Sequence, residues 1–357
     1  MTDLPPKSQN GAAALLIEAR RGPIVESRHR GHLCVVTGVD ETITELVSPD
    51  TVTFLRSSGK PFQAIPLVTS GAADQFGFDE KEIAIACGSH SGEPIHVDTV
   101  RAMLRKTGLN ESALKCGTHV PFNAEAARKL AVADEKPSVL QNNCSGKHTG
   151  MLAVALHVGA PTDTYDQLNN PVQEQIIRTV SEFSDLPADQ IAIGVDGCGV
   201  PVFGMSVRAM AMMYARLVCI PESLSQRVRN ACRRIVSAMI NFPEMVGGTV
   251  DRLDTELIRV GRGRLISKIG AEGVYTVGVL PSDRWPDGLG LALKIEDGDD
   301  RRARPPAVIE ALRQLKVLDD KALQTLSPYA APSIVNHRGE RVGSVAPVFQ
   351  IKSEKSG

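Results

Sequence analysis

The chain has 357 residues, 42% of them Ala, Val, Ile, Leu, Met, Phe, Trp, Tyr or Cys and 4% aromatic, with 40 basic against 41 acidic side chains. This length and apolar content support a large core and argue against intrinsic disorder. A formal net charge of −1 removes the electrostatic reason to expect a nucleic-acid binder or an anionic-membrane binder, and it favours a small neutral or zwitterionic substrate.

Charged residues interrupt every long apolar segment, so no stretch reaches the roughly 18 apolar residues that a membrane span needs. The start of the chain lacks the basic region and the uninterrupted apolar region of a signal peptide, which predicts a cytoplasmic protein. The 7 cysteines are an odd number spread over a long chain, so most are expected to be reduced.

The order of secondary structure follows from hydrophobic periodicity. Alternating β-branched residues predict an opening set of antiparallel strands over 14–47. Apolar residues three and four apart predict helices over about 94–107, 123–132, 148–158, 170–184 and 222–240. Short apolar runs between turns predict strands at 264–269, 273–280, 289–296, Ser333–Val335 and Val342–Ile351.

Strands at both ends with helices between them predict an α+β fold. The terminal strands are expected to share one sheet, and the helices to form a lobe over roughly 95–240. Residues 1–11 and 352–357 are expected to be flexible termini.

The stretch 56–63, Arg-Ser-Ser-Gly-Lys-Pro-Phe-Gln, opens an apolar segment, which predicts that Ser57 and Lys60 lie in the first turn of a helix. A serine hydroxyl becomes a nucleophile when a neutral lysine three residues on takes its proton. The pattern is short and recurs at Ser112–Lys115, so taken alone it fits a helix cap followed by a solvated lysine as well.

The small-residue turn 87–94, Cys-Gly-Ser-His-Ser-Gly-Glu-Pro, can present hydroxyl groups to a cleft. Helix capping by Ser91, with Glu93 in the first turn, explains the same residues equally well. The turn is not a Gly-x-Ser-x-Gly nucleophile elbow, because His90 stands at the central position.

Two further turns carry cysteines among polar residues. Cys144 precedes the predicted helix 148–158, and Cys198 follows an apolar run over 191–195. Thiolates from two such turns could bind zinc, but no Cys-x-x-Cys is present, so a redox pair or simple tight turns remain open on spacing alone.

Several familiar motifs are absent. Gly146-Lys147 is followed by His148 rather than the serine or threonine of a P-loop, and no His-Glu-x-x-His occurs. Gly261-x-Gly263 lacks the third glycine of a dinucleotide-binding turn. Gly-Gly-Thr at 247–249 resembles the threonine-nucleophile motif of some amidohydrolases but fits a loop before a helix better.

Five motifs in order resemble the asparaginase II family, the Rhizobium-type L-asparaginases. They are Arg-Ser-Ser-Gly-Lys-Pro-Phe-Gln, Gly-Ser-His-Ser-Gly-Glu-Pro, Asn-Cys-Ser-Gly-Lys-His, Gly-Val-Asp-Gly-Cys-Gly-Val-Pro and Ser-Lys-Ile-Gly-Ala-Glu-Gly. The resemblance covers 12–350 as a single catalytic domain. It implies a fold like that of serine β-lactamases and glutaminases, in which a mixed α/β sheet layer faces a helical lobe and the active site lies between them.

The resemblance also implies roles for individual residues. Ser57 and Lys60 are similar to a first catalytic Ser-Lys pair, and Ser89 and Lys268 to a second pair. The implied substrate-binding residues are Arg56, His90 and Asp196.

The implied cofactor is zinc, and its implied ligands are Cys144, Lys147 and Cys198. Lysine is an uncommon zinc ligand, because its amine must be deprotonated. Both a role in orienting substrate and the delivery of a metal-bound hydroxide remain open. Which of Ser57 and Ser58 is acylated also stays open, because two hydroxyls stand side by side.

The resulting prediction is an L-asparaginase that hydrolyses L-asparagine through a Ser-Lys nucleophile and an acyl-enzyme. Two alternatives are kept: a Ser-Lys amidohydrolase acting on glutamine, peptides or β-lactams, and a non-catalytic zinc or redox protein. The expected partner is a small-molecule substrate rather than nucleic acid or a membrane, and the resemblance favours a homodimer.

Overall fold

A computed structural model describes residues 13–46 and 48–351. The strands are β1 (Ala14–Arg21), β2 (Ile24–Thr37), β3 (Thr42–Leu46), β4 (Val52–Phe54), β5 (Ala192–Val195), β6 (Pro201–Ser206), β7 (Leu265–Ile269), β8 (Val274–Val279), β9 (Leu289–Ile295), β10 (Ser333–Val335) and β11 (Arg341–Pro347). The helices are α1 (Lys60–Thr69), α2 (Ala72–Gln75), α3 (Glu80–Ala86), α4 (Pro94–Thr107), α5 (Ala124–Val132), α6 (Ser145–Val158), α7 (Pro171–Ser184), α8 (Val207–Val218), α9 (Gln226–Asn241), α10 (Pro243–Val246), α11 (Leu253–Gly261), α12 (Arg304–Gln314), α13 (Asp320–Thr325) and α14 (Ser327–Ala330).

The described chain divides into two compact units. The sheet unit contains residues 13–58, 204–219 and 260–351, and the helical unit contains residues 59–203 and 220–259. Each unit has buried apolar side chains of its own, such as Leu33 and Leu291 in the first and Phe62 and Ile176 in the second.

The sheet unit is built on one antiparallel sheet in the order β10-β11-β1-β2-β9-β8-β7, with β3 also paired to β2. The long strand β2 makes this arrangement possible, because it pairs with β1 along its first half and with β3 along its second half. On its other edge β2 pairs with β9, with Leu33 opposite Leu293. Strands from both ends of the chain therefore share one sheet, as predicted.

Helix α8 packs on strands β2, β8 and β9 of the sheet unit. Its close approach requires glycine on β9, since a Cβ atom at Gly290 would lie 1.9 Å from the carbonyl oxygen of Ala211. This packing is why α8 belongs to the sheet unit although it lies among helices in the sequence.

The helical unit is centred on α1 and α6. Helix α1 packs against α6, α7 and α9, and the ring of Phe62 lies 5.3 Å from that of Phe183. Helix α6 is buried on all sides over residues 145–155, which explains why its beginning shows no amphipathic period.

The predicted α+β class is confirmed, and most predicted elements lie within a few residues of their observed bounds. Three starts differ: α6 begins three residues before the predicted 148, α9 begins four residues after the predicted 222, and residues Arg56–Gly59 form a 3-10 turn, so α1 begins only at Lys60. The predicted flexible termini lie outside the described residues. Among the described residues, no helix is both long and apolar enough to cross a membrane.

Candidate active site

Three loops of the helical unit bring its predicted site residues into place. The first, residues 87–93, follows α3, and the second, residues 141–144, leads into α6. The third, residues 196–200, connects β5 to β6. Glycines permit the close packing of the first loop and of the start of α6, because a Cβ atom would lie 2.3 Å from Met245 O at Gly88 and 2.6 Å from Ile85 O at Gly146.

Lys60 is held by acceptors from two of these loops. Its Nζ atom donates to the carbonyl oxygen of Gly88 at 2.8 Å, to the Oγ atom of Ser89 at 2.9 Å and to the carbonyl oxygen of Asn143 at 3.0 Å. The side chain is only 1% exposed. All three N–H groups of the protonated amine therefore have partners.

The neutral amine also fits this environment. Burial lowers the pKa of Lys60, and the neighbouring Cys144 thiolate opposes that effect only in part. A neutral amine keeps two N–H donors for the two carbonyl oxygens and offers its lone pair to a hydroxyl, which can itself donate. Ser89 is the one hydroxyl among the three acceptors named above, so it can exchange a proton with Lys60.

Cys144, Lys147 and Cys198 form a second, adjoining cluster. The Nζ atom of Lys147 donates to the Sγ atom of Cys198 at 3.1 Å, and the thiol of Cys198 hydrogen-bonds to Cys144. All three side chains are buried. Cys144 directly precedes α6, where the helix N-terminus favours a negative charge.

The charges of this cluster follow from its contacts. The hydrogen bond from Cys198, together with the nearby lysines, holds the pKa of Cys144 well below its usual value, while the same bond raises the pKa of Cys198. The pair thus shares one proton and one negative charge. Burial lowers the pKa of Lys147, but the negative charge of the cysteine pair, with that of Asp196, outweighs burial and raises it.

The donor set fits zinc, which prefers sulfur and nitrogen ligands. In the described part of the chain, no three His, Cys, Asp or Glu side chains gather into a metal-binding group. Two thiolates would therefore need the amine of Lys147 as a third protein ligand, and its contact with Cys198 places that amine within reach. Binding would require Lys147 to lose its proton.

His90 has both ring nitrogens occupied within the protein. The hydroxyl of Ser145 donates to the carbonyl oxygen of Leu140 at 3.0 Å. Ser145 Oγ is therefore the acceptor in its 2.9 Å contact with His90, and His90 Nε2 is the donor. His90 Nδ1 accepts from the backbone N–H of Gly92 at 3.2 Å. Burial and the stacked His96 ring lower the pKa of His90 well below its usual value, so this neutral ring holds two loops together.

Asp196 offers a half-buried carboxylate beside the cysteine cluster. One of its oxygens, Oδ1, accepts from the backbone N–H of Gly197 at 2.9 Å. Its charge contributes to the raised pKa values of Lys147 and Cys198. A carboxylate in this setting can bind an ammonium group.

Three predicted site residues, Arg56, Ser57 and Lys268, belong to the sheet unit. Ser57 is half-buried, and the preceding Arg56 has a left-handed φ of 50°, a strained conformation that is enriched at functional sites. Arg56 Nη1 lies 3.9 Å from Glu272 Oε1, and Lys268 on β7 is fully buried, with Nζ donating to the carbonyl oxygen of Ile269 at 3.2 Å.

The two neighbouring serines have different surroundings. Ser58 is fully buried, and its hydroxyl donates to the carbonyl oxygen of Leu55 at 2.6 Å. Its own carbonyl oxygen accepts from Tyr214. Ser57 is the more accessible of the two hydroxyls.

Sequence reasoning missed the parts of the site that are made by backbone or by distant residues. The carbonyl oxygens of Gly88 and Asn143 hold Lys60, but no side-chain pattern identifies a carbonyl. Ser145 belongs to the Asn-Cys-Ser-Gly-Lys-His motif but was not predicted as a site residue, and it contacts His90 Nε2 through its hydroxyl. The alternative in which Ser91 caps helix α4 is wrong. The helix is capped by Glu93 with His96, and Ser91 instead donates to the carbonyl oxygen of Gly247 at 3.1 Å.

The helical unit thus places a buried lysine against a serine hydroxyl, beside a cluster of one lysine and two cysteines. The family model described as L-asparaginase II matches residues 17–347. The chain belongs to this family. A search of curated proteins found no match.

Solved structures similar to this chain include a native form of Mglu, with 14% sequence identity and a TM-score of 0.42 over 82% of this chain and 66% of that one. The chain thus spans just under two thirds of the length of that structure. The Bacillus subtilis glutaminase YbgJ, in covalent complex with 5-oxo-L-norleucine, has 11% identity and a TM-score of 0.38 over 85% of this chain and 93% of that one.

Proposed function

We propose that the protein is an L-asparaginase, which hydrolyses L-asparagine to L-aspartate and ammonia. The observation that carries this proposal is Lys60, a buried amine of lowered pKa that contacts a serine hydroxyl. It stands three residues after Ser57 in a chain of the L-asparaginase II family.

In the proposed reaction, Ser57 attacks the side-chain amide carbon of asparagine while neutral Lys60 takes its hydroxyl proton. The C–N bond then breaks, and the proton passes to the leaving nitrogen, so that ammonia departs and an ester to Ser57 remains. Water hydrolyses the ester and returns the hydroxyl proton to Ser57. Ser89, hydrogen-bonded to Lys60, and Lys268 are proposed to relay protons.

Substrate recognition is assigned to charged side chains. Asp196 is proposed to bind the α-ammonium group of asparagine, because its half-buried carboxylate can accept from a cation. Arg56 is proposed to bind the α-carboxylate, since guanidinium matches carboxylate geometry. His90 is proposed to lie near the substrate and to support its loop rather than to bind the substrate itself, because both of its ring nitrogens are hydrogen-bonded within the protein.

Zinc is proposed as the cofactor, held by Cys144, Cys198 and Lys147. When bound there, zinc would supply a positive charge that orients the polar end of the substrate. The support is the chemistry of the donor set and the 3.1 Å contact between Lys147 and Cys198.

Ammonia release from asparagine, glutamine, simple amides, peptides and a β-lactam by the purified protein tests the proposal. We expect the highest kcat/KM for asparagine, and abolished turnover in Ser57→Ala. Preference for glutamine or a β-lactam would assign the site to the broader Ser-Lys class, and absence of any hydrolysis by a folded, zinc-loaded protein would contradict catalysis. The homodimer, the cytoplasmic location and the single catalytic domain over 12–350 stay predictions from the sequence.

A further inference from the structure

The segment 116–123 of the helical unit fastens two of the site's loops to each other. At one end, the side-chain amide of Asn142 donates to the carbonyl oxygens of Cys116 at 2.9 Å and Gly117 at 3.1 Å. At the other end, the backbone N–H of Asn123 donates to the carbonyl oxygen of Ser91 at 3.0 Å. The segment is thus tied to the loop before α6 and to the loop after α3, which together supply every acceptor named for Lys60.

His119 makes the central contact of this segment. Its Nε2 atom accepts from the backbone N–H of Asn143 at 2.9 Å, and its Nδ1 atom lies 2.8 Å from the carbonyl oxygen of Val120. A carbonyl oxygen can only accept and an amide N–H can only donate, so the proton lies on Nδ1 and the lone pair of Nε2 faces Asn143. The ring stacks on Phe122 at a centroid distance of 4.9 Å.

Asn143 connects His119 to the catalytic amine. Its N–H is bound by His119, while its carbonyl oxygen accepts from Lys60 Nζ at 3.0 Å. The backbone of one residue is therefore held from one side by an imidazole and contacts Lys60 on the other. A small rotation of this residue would move the acceptor that fixes the direction of the Lys60 lone pair.

We propose that His119 is a positioning residue for the amidohydrolase reaction, acting on Lys60 through the backbone of Asn143. The effect expected on turnover rests on the proposed function. The required feature is a neutral acceptor at the position of His119 Nε2, and the ring itself is not required. Neither the five motifs nor their spacing identify this residue, because it lies outside all of them.

Two substitutions separate the acceptor from the ring. His119→Phe keeps an aromatic ring for Phe122 but has no acceptor, whereas His119→Gln loses the ring but can place its Oε1 atom near the position of Nε2. We expect His119→Phe to lower kcat about tenfold or more, with KM changed by less than about threefold, and His119→Gln to keep kcat within about threefold of the wild type. Phe122→Leu, which removes the stacking partner alone, serves as the control and should also stay within about threefold.

Hydrogen exchange supplies a readout that does not depend on activity. In His119→Phe, peptides covering 139–147 should exchange faster than in the wild type, while His119→Gln should retain protection. Equal exchange rates in the wild type and in His119→Phe would show that His119 does not restrain the backbone of Asn143. Faster exchange with unchanged kcat, or equal losses of kcat in both variants, would overturn the positioning role. If the wild type hydrolyses no amide, the proposed function fails, and the exchange comparison alone decides whether His119 holds Asn143.

Discussion

The Nζ atom of Lys60 lies 2.9 Å from the Oγ atom of Ser89, a residue 29 positions further along the chain. The carbonyl oxygens of Gly88 and Asn143 also accept from this amine, and they accept an N–H whether the lysine is charged or neutral. Ser89 differs, because a hydroxyl can reverse its role and donate to the neutral amine. This contact is therefore a route by which a proton can reach or leave Lys60 inside the helical unit.

Ser57→Ala is expected to lower kcat by about a thousandfold or more, because no other group would form the ester in the proposed reaction. The matched control is Ser58→Ala. Ser58 donates to Leu55 O, which also accepts from the backbone N–H of Ser58 at 3.2 Å, so this variant should lose about 0.5–1.5 kcal/mol of unfolding free energy and keep most of its activity. Mass spectrometry of the trapped acyl-enzyme would contradict the assignment if the label were on Ser58 or Thr249.

The activity should rise with pH along an acid limb set by Lys60. Burial lowers the pKa of this amine, so the neutral base is populated below the usual range of a lysine, and its fraction grows as pH increases through the lowered pKa. The profile of kcat/KM against pH, measured at constant ionic strength, tests this direction. An activity that falls as pH rises from acid to neutral would contradict a lysine base.

Lys60→Arg should be nearly inactive at every pH, since guanidinium stays protonated and cannot serve as a base. Lys60→Met, which carries no charge, should be inactive as well while unfolding cooperatively. Lys106→Arg is the control, because Lys106 is a partly exposed lysine paired with Glu82 at 2.6 Å and should retain activity. Substantial turnover in Lys60→Arg would place the base elsewhere.

The sequence predicted much of the fold wherever apolar residues follow a clear helical or strand periodicity. Helix α4 and strand β10 match their predicted bounds, because a proline or glycine marks an end of each, Pro94 and Gly108 for α4 and Pro332 for β10. The beginning of α6 was missed because residues 145–147 are polar or small yet buried, so no apolar stripe marks them.

The candidate site was predictable only where a side chain belongs to a motif. The proximity of Cys198 and Lys147 could be expected from the family resemblance and is observed at 3.1 Å. The pairing of Lys60 with Ser89 was not expected, since sequence spacing linked Lys60 to Ser57 and the family resemblance linked Ser89 to Lys268. Such a contact depends on how Gly88 packs against Met245 O, which a tertiary structure decides and a linear pattern does not.

Gly290→Ala should destabilise the sheet unit strongly. A Cβ atom there would lie 1.9 Å from the carbonyl oxygen of Ala211 on α8, and neither backbone can yield without separating helix from sheet. We expect a loss of more than about 3 kcal/mol in unfolding free energy. Gly278→Ala on the next strand should cost less, because its nearest obstacle, at 2.7 Å, is a side-chain methyl group of Val218. Equal denaturation midpoints for the two variants would contradict this packing argument.

Zinc content provides a direct test of the cysteine cluster. Elemental analysis of the purified protein should find about one zinc per chain if the thiolates of Cys144 and Cys198 and the amine of Lys147 form a site. Cys198→Ser and Lys147→Met should each lower that content sharply. Cys232→Ser is the control, because Cys232 is a buried thiol on α9 that takes no part in the cluster.

The role proposed for zinc predicts a specific kinetic pattern when the metal is removed. If zinc only orients the substrate, a chelator or Cys198→Ser should raise KM for asparagine more than it lowers kcat, because Ser57 and Lys60 still supply the nucleophile and the base. Readdition of zinc should restore KM in the chelated wild type but not in the variant. Loss of kcat with an unchanged KM would instead favour a metal-bound hydroxide as the nucleophile, and Ser57→Ala would then retain activity. Wild-type protein that is active and free of zinc would remove the metal from the reaction altogether.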